Sequence, residues 1–110
     1  MHVRTLHAAA AIVVTAGLLG VGARTAVADP ETGERLAQRW CAACHLVAPD
    51  QRQASADVAP FATIARMPGF NAEKLAFFLL HPHPKMPDLP LTRREAADIA
   101  DYIARLGSKP

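Results

Sequence analysis

The stretch Cys41-Ala42-Ala43-Cys44-His45 holds both cysteines of the 110-residue chain and places a histidine directly after the second one. This C-x-x-C-H spacing is typical of covalent c-type haem attachment. Two thiols separated by two residues suit the two vinyl groups of a haem, and the next residue can place its imidazole beneath the iron. We therefore predict that Cys41 and Cys44 attach the haem and that His45 is an axial ligand.

Three other uses of a cysteine pair compete with haem attachment: a small disulfide, a thioredoxin-like redox pair and half of a zinc site. A redox pair is expected near a βαβ pattern, and no segment of this chain has the pattern of a strand. A zinc site needs two more ligands, and the only histidines after residue 28 are His45, His81 and His83. Haem attachment is therefore the favoured interpretation.

Residues 1–28 have the organisation of a cleavable secretory signal peptide. A short start that carries Arg4 precedes an apolar or small run of 16 residues, 8–23, which only Thr15 interrupts. Ala26-Val27-Ala28 then forms a small-x-small cleavage site. The run is shorter than the roughly 20 residues that span a bilayer. Cleavage after Ala28 is therefore favoured over a retained membrane anchor.

Cleavage at that point would leave one exported domain, residues 29–110, in the periplasm. The chain carries 12 Lys and Arg and 10 Asp and Glu, and Arg4 and Arg24 lie in the leader. The mature domain would have ten residues of each sign, so we expect no binding to nucleic acid. Contact with a membrane is expected only if the leader is retained.

A domain of 82 residues has a marginal core and usually needs a disulfide, a metal or another cross-link. The domain has only six aromatic residues: Trp40, Phe61, Phe70, Phe77, Phe78 and Tyr102. A covalently attached haem would supply both a cross-link and a large apolar centre.

The first helix is predicted from Glu31 to Ala43 and carries the haem motif at its C-terminal end. Asp29 can cap this helix, and Pro30 and the acidic residues that follow suit its first turn. Apolar or small residues, both cysteines included, recur on one face at three- and four-residue steps.

Two shorter helices are predicted in the middle of the chain. The second spans residues 61–66, and Asn71 caps a third that spans residues 72–80. The apolar face of the third helix is predicted to comprise Leu75, Phe78 and Leu79, widened by Phe77 and Leu80.

The last helix begins at the capping box Thr92-Arg93-Arg94-Glu95, and Gly107 is predicted to end it. The sequence therefore predicts an all-α domain of about four short helices.

Residues 81–90 hold four prolines, which predicts a stiff irregular loop. Such a loop can hold a side chain against a haem at a low entropic cost. Met86 lies in this loop and is the favoured second axial ligand. His81, His83 or an open sixth position remain as alternatives, and Met67 is expected to pack or lie at the surface.

The motif, the segment Lys85-Met86-Pro87 and the two terminal helices together resemble a small bacterial monohaem class I cytochrome c. The resemblance covers nearly all of residues 31–106. It implies the cytochrome c fold, in which the N- and C-terminal helices cross beside one covalently attached haem c. It also implies an axial methionine next to a proline and shortly before the last helix, which is the position of Met86.

The same resemblance assigns a role to Gly33, which stands eight residues before the first cysteine. The family's glycine at this position lets an aromatic residue of the last helix approach, and the partners here are predicted to be Ile99 and Tyr102. The family often has an aromatic residue four positions before the first cysteine. Here that position is Ala37, with Trp40 as the candidate replacement.

The family also uses a backbone carbonyl after the motif to accept a hydrogen bond from the proximal imidazole, which orients the ring. Pro60 is the candidate for that carbonyl in this chain, and Ala59 is the alternative.

For function, the resemblance implies an exported one-electron carrier with His/Met axial ligation, not an enzyme. A monomer that binds redox protein partners transiently is expected. Two alternatives remain open. The chain could be a haem-bearing electron-transfer subunit of a periplasmic dehydrogenase or oxidase complex. It could also be an open-site haem enzyme or gas sensor if Met86 is not a ligand.

Overall fold

The helix at the C-terminal end, Arg93–Ser108, is the element against which the rest of the domain packs. The computed structural model describes residues 26–81 and 84–108. These residues contain no strand and form helices in the order α1 (Pro30–Trp40), α2 (Phe61–Ala65), α3 (Ala72–Leu79) and α4 (Arg93–Ser108). α4 contacts all three other helices, and its contact with α1 is the most extensive. The predicted all-α fold is confirmed.

Side chains that the sequence identifies as caps begin three of these helices. The Asp29 carboxylate accepts from the amide two residues on at 3.1 Å, and the Asn71 carbonyl oxygen accepts from the amide three residues on at 2.8 Å. At α4, the Thr92 hydroxyl oxygen accepts from the Glu95 amide while the Glu95 carboxylate accepts from the Thr92 amide. These bonds satisfy amides that have no partner within the helix.

Gly33 lies where α1 and α4 pack together. A Cβ at this position would overlap the carbonyl group of Asp98 and lie 2.9 Å from the Cβ of Tyr102, so only glycine allows the two backbones to come this close. The predicted role of Gly33 is confirmed, with one correction: Asp98 takes the place predicted for Ile99. Residues four apart share a helix face, so Asp98 and Tyr102 face α1 together, while Ile99 is fully buried in the core.

A buried hydroxyl connects α4 to the loop that follows the cysteine motif. Tyr102 donates a hydrogen bond to the carbonyl oxygen of Val47 at 2.6 Å. Burial raises the pKa of the Tyr102 hydroxyl above its ordinary value, so the group remains a donor. The core around this bond also includes Ala37, Phe61, Ile103 and Leu106.

The prediction that α4 ends at Gly107 is wrong, because the helix continues to Ser108. Gly107 instead lies where α4 meets α2. A Cβ there would lie 3.0 Å from both the Cβ and the carbonyl oxygen of Ala65. A glycine near the end of a helix can therefore serve close packing as well as helix termination.

No helix within the described residues is long and apolar enough to cross a membrane. Most of the predicted leader, residues 1–25, and the alternative ligand His83 lie outside the described residues. The predicted cleavage site is described: Val27 is 79% exposed, and residues 26–29 precede α1 without regular structure.

Candidate functional site

The cysteine motif forms a set of turns directly after α1. The helix ends at Trp40, three residues before the predicted end. It ends early because the amide of Ala42 bonds to the carbonyl five residues back, one residue beyond the α-helical acceptor. The amides of Cys44 and His45 then both donate to the carbonyl oxygen of Cys41, at 3.1 and 2.9 Å. The motif is therefore a compact coil whose geometry does not depend on a continuing helix.

The two cysteines are free thiols in different surroundings: Cys41 is buried and Cys44 is exposed. Burial raises the pKa of the Cys41 thiol to about 11. Reactive redox pairs depend on a thiolate with a lowered pKa, so these surroundings do not favour a thiol–disulfide exchange site. Within residues 26–81 and 84–108, no group of three or more Cys, His, Asp or Glu side chains could hold a metal ion.

The ring of His45 is oriented by a backbone carbonyl. Its Nδ1 lies 2.7 Å from the carbonyl oxygen of Ala59. Because a carbonyl only accepts, Nδ1 carries the hydrogen, and Nε2 keeps the lone pair that a metal needs. The favoured candidate for this carbonyl, Pro60, is corrected to Ala59. The carbonyl of Pro60 accepts instead from two amides in the first turn of α2, at 3.0 Å each.

Beside His45 lie two adjoining apolar cavities of about 70 and 130 Å³, which are called the two lobes of the cleft because they share lining residues. Three residues line both lobes: Cys41, His45 and Met86. The smaller lobe is otherwise lined by apolar side chains from α2, α3 and α4, namely Phe61, Ile64, Leu75, Phe78, Leu79 and Ile103. The larger lobe adds Trp40, Ala43, Cys44, Val58, Lys85, Pro87 and Leu89.

The predicted apolar face of α3 is confirmed in its central part. Leu75, Phe78 and Leu79 all line the smaller lobe. The prediction that Phe77 widens this face is wrong, because Phe77 is 66% exposed and its ring centroid lies 4.0 Å from that of His81. The apolar face of α3 is therefore narrower than predicted on the side of Phe77.

Met86 is placed at the cleft by a loop without regular structure, residues 84–92. The preceding residue, Lys85, has a φ of 72°, a left-handed conformation that is uncommon outside glycine. Met86 is half-buried and shares both lobes with His45. Met67 lines neither lobe and is 50% exposed, as expected for a surface residue.

The alternative ligand His81 lies outside the cleft. It is exposed, lines neither lobe, and its Nδ1 lies 2.7 Å from the carbonyl oxygen of Phe77. The structure therefore brings Met86, and not His81, into the same cleft as the motif histidine.

Gln51 is a site residue that the sequence did not reveal. Its Nε2 lies 3.0 Å from the carbonyl oxygen of Ala42 and 2.8 Å from those of His45 and Gln53. Its Oε1 accepts from the amide of Val47 at 2.9 Å. One side chain thus joins both ends of the motif to the next loop. A single glutamine in an irregular polar segment has no pattern that predicts such a role.

A further apolar groove of about 300 Å³ lies next to this loop, lined by residues that include Val47, Pro49, Arg66 and Leu106. No cysteine, histidine or methionine lines it. The cleft beside His45 is therefore the candidate site, because it combines apolar walls with soft and imidazole donors.

Comparison with known proteins agrees with this geometry. The family model described as "Cytochrome C oxidase, cbb3-type, subunit III" matches residues 28–103. Over 79 residues the chain is 63% identical to cytochrome c-552 of Bradyrhizobium diazoefficiens. The aligned segment covers 72% of this chain and 76% of that protein. The chain belongs to the cytochrome c family. No solved structure matches it.

Membership of this family makes the chain a haem-based electron-transfer protein and not an enzyme, and it implies haem c as the cofactor. The residues of the cleft fit that group. They supply two thiols, an imidazole whose Nε2 is available, and a thioether, all next to apolar walls.

Proposed function

We propose that this cytochrome c is an exported one-electron carrier with a single haem c. Cys41 and Cys44 would attach the haem, and His45 and Met86 would be its axial ligands. The observation that carries the proposal is that Cys41, His45 and Met86 line both lobes of one apolar cleft. When bound, the haem supplies a one-electron redox couple, while the protein supplies orientation and electrostatics.

The surroundings of His45 support its role as the proximal ligand. The hydrogen bond from Nδ1 to Ala59 fixes the tautomer and makes Nε2 more basic. Gln51 binds the carbonyl of His45 at 2.8 Å, so both the ring and the backbone of this residue are held. A ligand held at two points keeps one geometry, as an electron carrier requires.

The loop around Met86 supports its role as the distal ligand. Four prolines, Pro82, Pro84, Pro87 and Pro90, lie within four residues of it, which reduces the entropy that is lost when the thioether is ordered. A methionine ligand raises the reduction potential. The apolar side chains of the smaller lobe limit the access of water to the haem site, and solvent access is one of the factors that set the reduction potential.

Export with cleavage after Ala28 is part of the proposal, and the mature domain would comprise residues 29–110. The proposed site precedes the first helix, because α1 begins only at Pro30, and Ala26 and Val27 are exposed. The family match also begins at residue 28. We place the mature protein in the periplasm, where disulfides and other cysteine chemistry are permitted.

The expected partners are redox proteins that bind transiently to a monomer. Cys44 is exposed, so the cleft reaches the surface beside the motif, where a partner can approach. The mature domain would carry ten residues of each charge. Long-range electrostatic steering should therefore be weak, and the interface small.

A second candidate function is a haem-bearing subunit of an oxidase complex, which the description of the matching family model favours. Copurification distinguishes the two candidates. A free carrier is expected in the soluble periplasmic fraction, whereas a constant ratio to a membrane-bound oxidase after detergent extraction would favour the subunit.

The variant Met86→Ala tests the proposed distal ligand. We expect loss of the far-red charge-transfer band that methionine ligation gives the oxidised protein, together with a lower reduction potential. Met67→Ala is the matched control, because Met67 is exposed and outside the cleft, and it should change neither quantity. An unchanged spectrum and potential in Met86→Ala would show that another group is the ligand.

A further inference from the structure

Asp98 is the one buried charged side chain in the part of the chain that the structure describes, at 3% exposure. It lies on α4 at the contact with α1. Its Oδ1 accepts from the backbone nitrogen of Asp29 at 2.7 Å and from Nε of Arg94 at 3.1 Å. The side chain of Arg94 is 46% exposed. A buried carboxylate is costly unless its charge is well compensated. Because Arg94 is half exposed, the backbone nitrogen of Asp29 is the more important partner to consider.

That partner is the nitrogen that leader removal would change. Cleavage after Ala28, on which this inference rests, hydrolyses the Ala28–Asp29 amide: the hydroxyl of water goes to the carbonyl carbon of Ala28, and a hydrogen goes to the nitrogen of Asp29. The new α-amine has an ordinary pKa of about 7.7–8.0 and takes up a proton at neutral pH. The atom that lies 2.7 Å from Asp98 would then carry a positive charge.

We infer that Asp98 is the binding site for the α-ammonium group of the processed chain. Leader removal then converts a hydrogen bond between a neutral amide and a carboxylate into a partly buried ion pair that joins the start of α1 to α4. The carboxylate already strengthens the hydrogen bond of the precursor, and a positive charge on the donor adds direct Coulombic attraction. The processed N-terminus would therefore be part of the helix contact rather than a loose end.

The charges around this nitrogen are balanced in the processed form. The two positive charges of the α-ammonium group and Arg94 match the two negative charges of the Asp98 and Asp29 carboxylates. A hydrogen bond from the Thr32 hydroxyl lowers the pKa of Asp29, so Asp29 is ionised at neutral pH. From α1, the positive charge of Arg35 also lowers the pKa of Asp29, and the acidic residue Glu31 lies in the first turn.

Two further features, one of the processed chain and one of the precursor, are consistent with this exchange. An ammonium group at a helix N-terminus is opposed by the helix dipole, and the carboxylate of Asp98 offsets that effect. In the unprocessed chain, Nη2 of Arg94 donates to the carbonyl oxygen of Val27 at 2.7 Å. Cleavage removes that contact, and the new ion pair at Asp98 takes its place as the link between this end of α4 and the start of the chain.

The ion pair predicts a specific pH dependence. Because the carboxylate favours the charged amine, the folded protein should have an α-amino pKa above the ordinary value of about 7.7–8.0. The stabilisation is then fully present below that ordinary value and is lost as the pH rises through the raised value.

The test compares two purified holoproteins, one beginning at Asp29 and one that retains Ala28. The first should melt at least about 4 °C higher at pH 7, and the difference should shrink as the pH rises toward 10. Asp98→Asn should remove the difference. Asp101→Asn, which removes the same charge from the same helix, should leave it unchanged. An NMR titration of the Asp29 Cα in the reduced protein measures the α-amino pKa directly.

The outcomes separate this inference from the proposed processing. Mass spectrometry of the exported protein gives the N-terminus, and a start other than Asp29 overturns the proposed cleavage site and the inference with it. A start at Asp29 with an α-amino pKa in the ordinary range overturns the inference alone. A raised pKa that returns to the ordinary range in Asp98→Asn supports it, even if the variant is less stable.

Discussion

At the scale of single residues, the site depends on hydrogen bonds that two backbone carbonyls accept. The carbonyl of Ala59 holds the ring of His45, and the side chain of Gln51 binds the carbonyl of His45 itself. Neither group would touch the iron, yet together they fix where Nε2 of His45 points. Residues that support a ligand in this way tune it as well as position it.

Gln51→Glu is expected to lower the free energy of unfolding by about 1–3 kcal/mol, because the carboxylate cannot donate to the carbonyls of Ala42 and His45. It should also shift the reduction potential, since the backbone of the ligand loses its support. Chemical denaturation and redox titration measure the two effects. Gln53→Glu adds the same charge at an exposed neighbour and is the control. Equal effects of the two variants would show that Gln51 does not support the site.

The sequence predicted the residues that line the cleft better than the residues that support it. Cys41 and His45 belong to one motif, and Met86 stands in a loop whose prolines limit its conformations, so spacing and composition were informative. The choice of Ala59 over Pro60 depends on which carbonyl α2 uses for its own first turn. That choice is made by the folded loop and has no periodic pattern.

At the scale of the helices, two glycines set how closely α4 approaches its neighbours. Gly33 faces the backbone of Asp98 in α4, and Gly107 faces Ala65 in α2.

Helix starts were predictable because caps are local, as Asp29, Asn71 and the Thr92–Glu95 pair show. Helix ends were predicted to within one residue for α2 and α3, but α1 stops at Trp40, where the motif coils, and α4 passes through Gly107.

Gly33→Ala is expected to lower the free energy of unfolding by at least about 3 kcal/mol, because the new methyl group overlaps the carbonyl of Asp98. Gly107→Ala should lie within about 1 kcal/mol of the wild type. Its contacts of 3.0 Å need only a small shift, and alanine favours the helix. Thermal unfolding of the two variant holoproteins shows which substitution is the more destabilising. A more severe effect at Gly107 would contradict the proposed helix contacts.

At the scale of the whole molecule, the helices enclose a cleft next to a small core. Within residues 26–81 and 84–108, the largest fully buried side chains are Ile99, Ile103 and Val47, and α3 has no buried residue. Three of its apolar side chains, Leu75, Phe78 and Leu79, line the cleft instead. The attached haem is therefore expected to be part of the core as well as the redox centre.

Removing both attachment points tests that dependence. Cys41→Ser combined with Cys44→Ser should give a chain without cooperative thermal unfolding and with much reduced helical circular dichroism, because the core loses its cross-link and its apolar centre. The single variant Cys44→Ser changes only the exposed thiol and should remain folded with one thioether. A double variant that unfolds cooperatively like the wild type would show that the haem is not structural.

The absorption spectrum of the reduced exported protein at neutral pH, recorded before and after addition of carbon monoxide, tests the central claim most directly. His45 and Met86 are proposed to occupy both axial positions, and both line the same two-lobed cleft. The spectrum is therefore predicted to stay unchanged after mixing. Rapid conversion to the spectrum of a carbon monoxide complex would contradict the claim, because it would show that the sixth position is open.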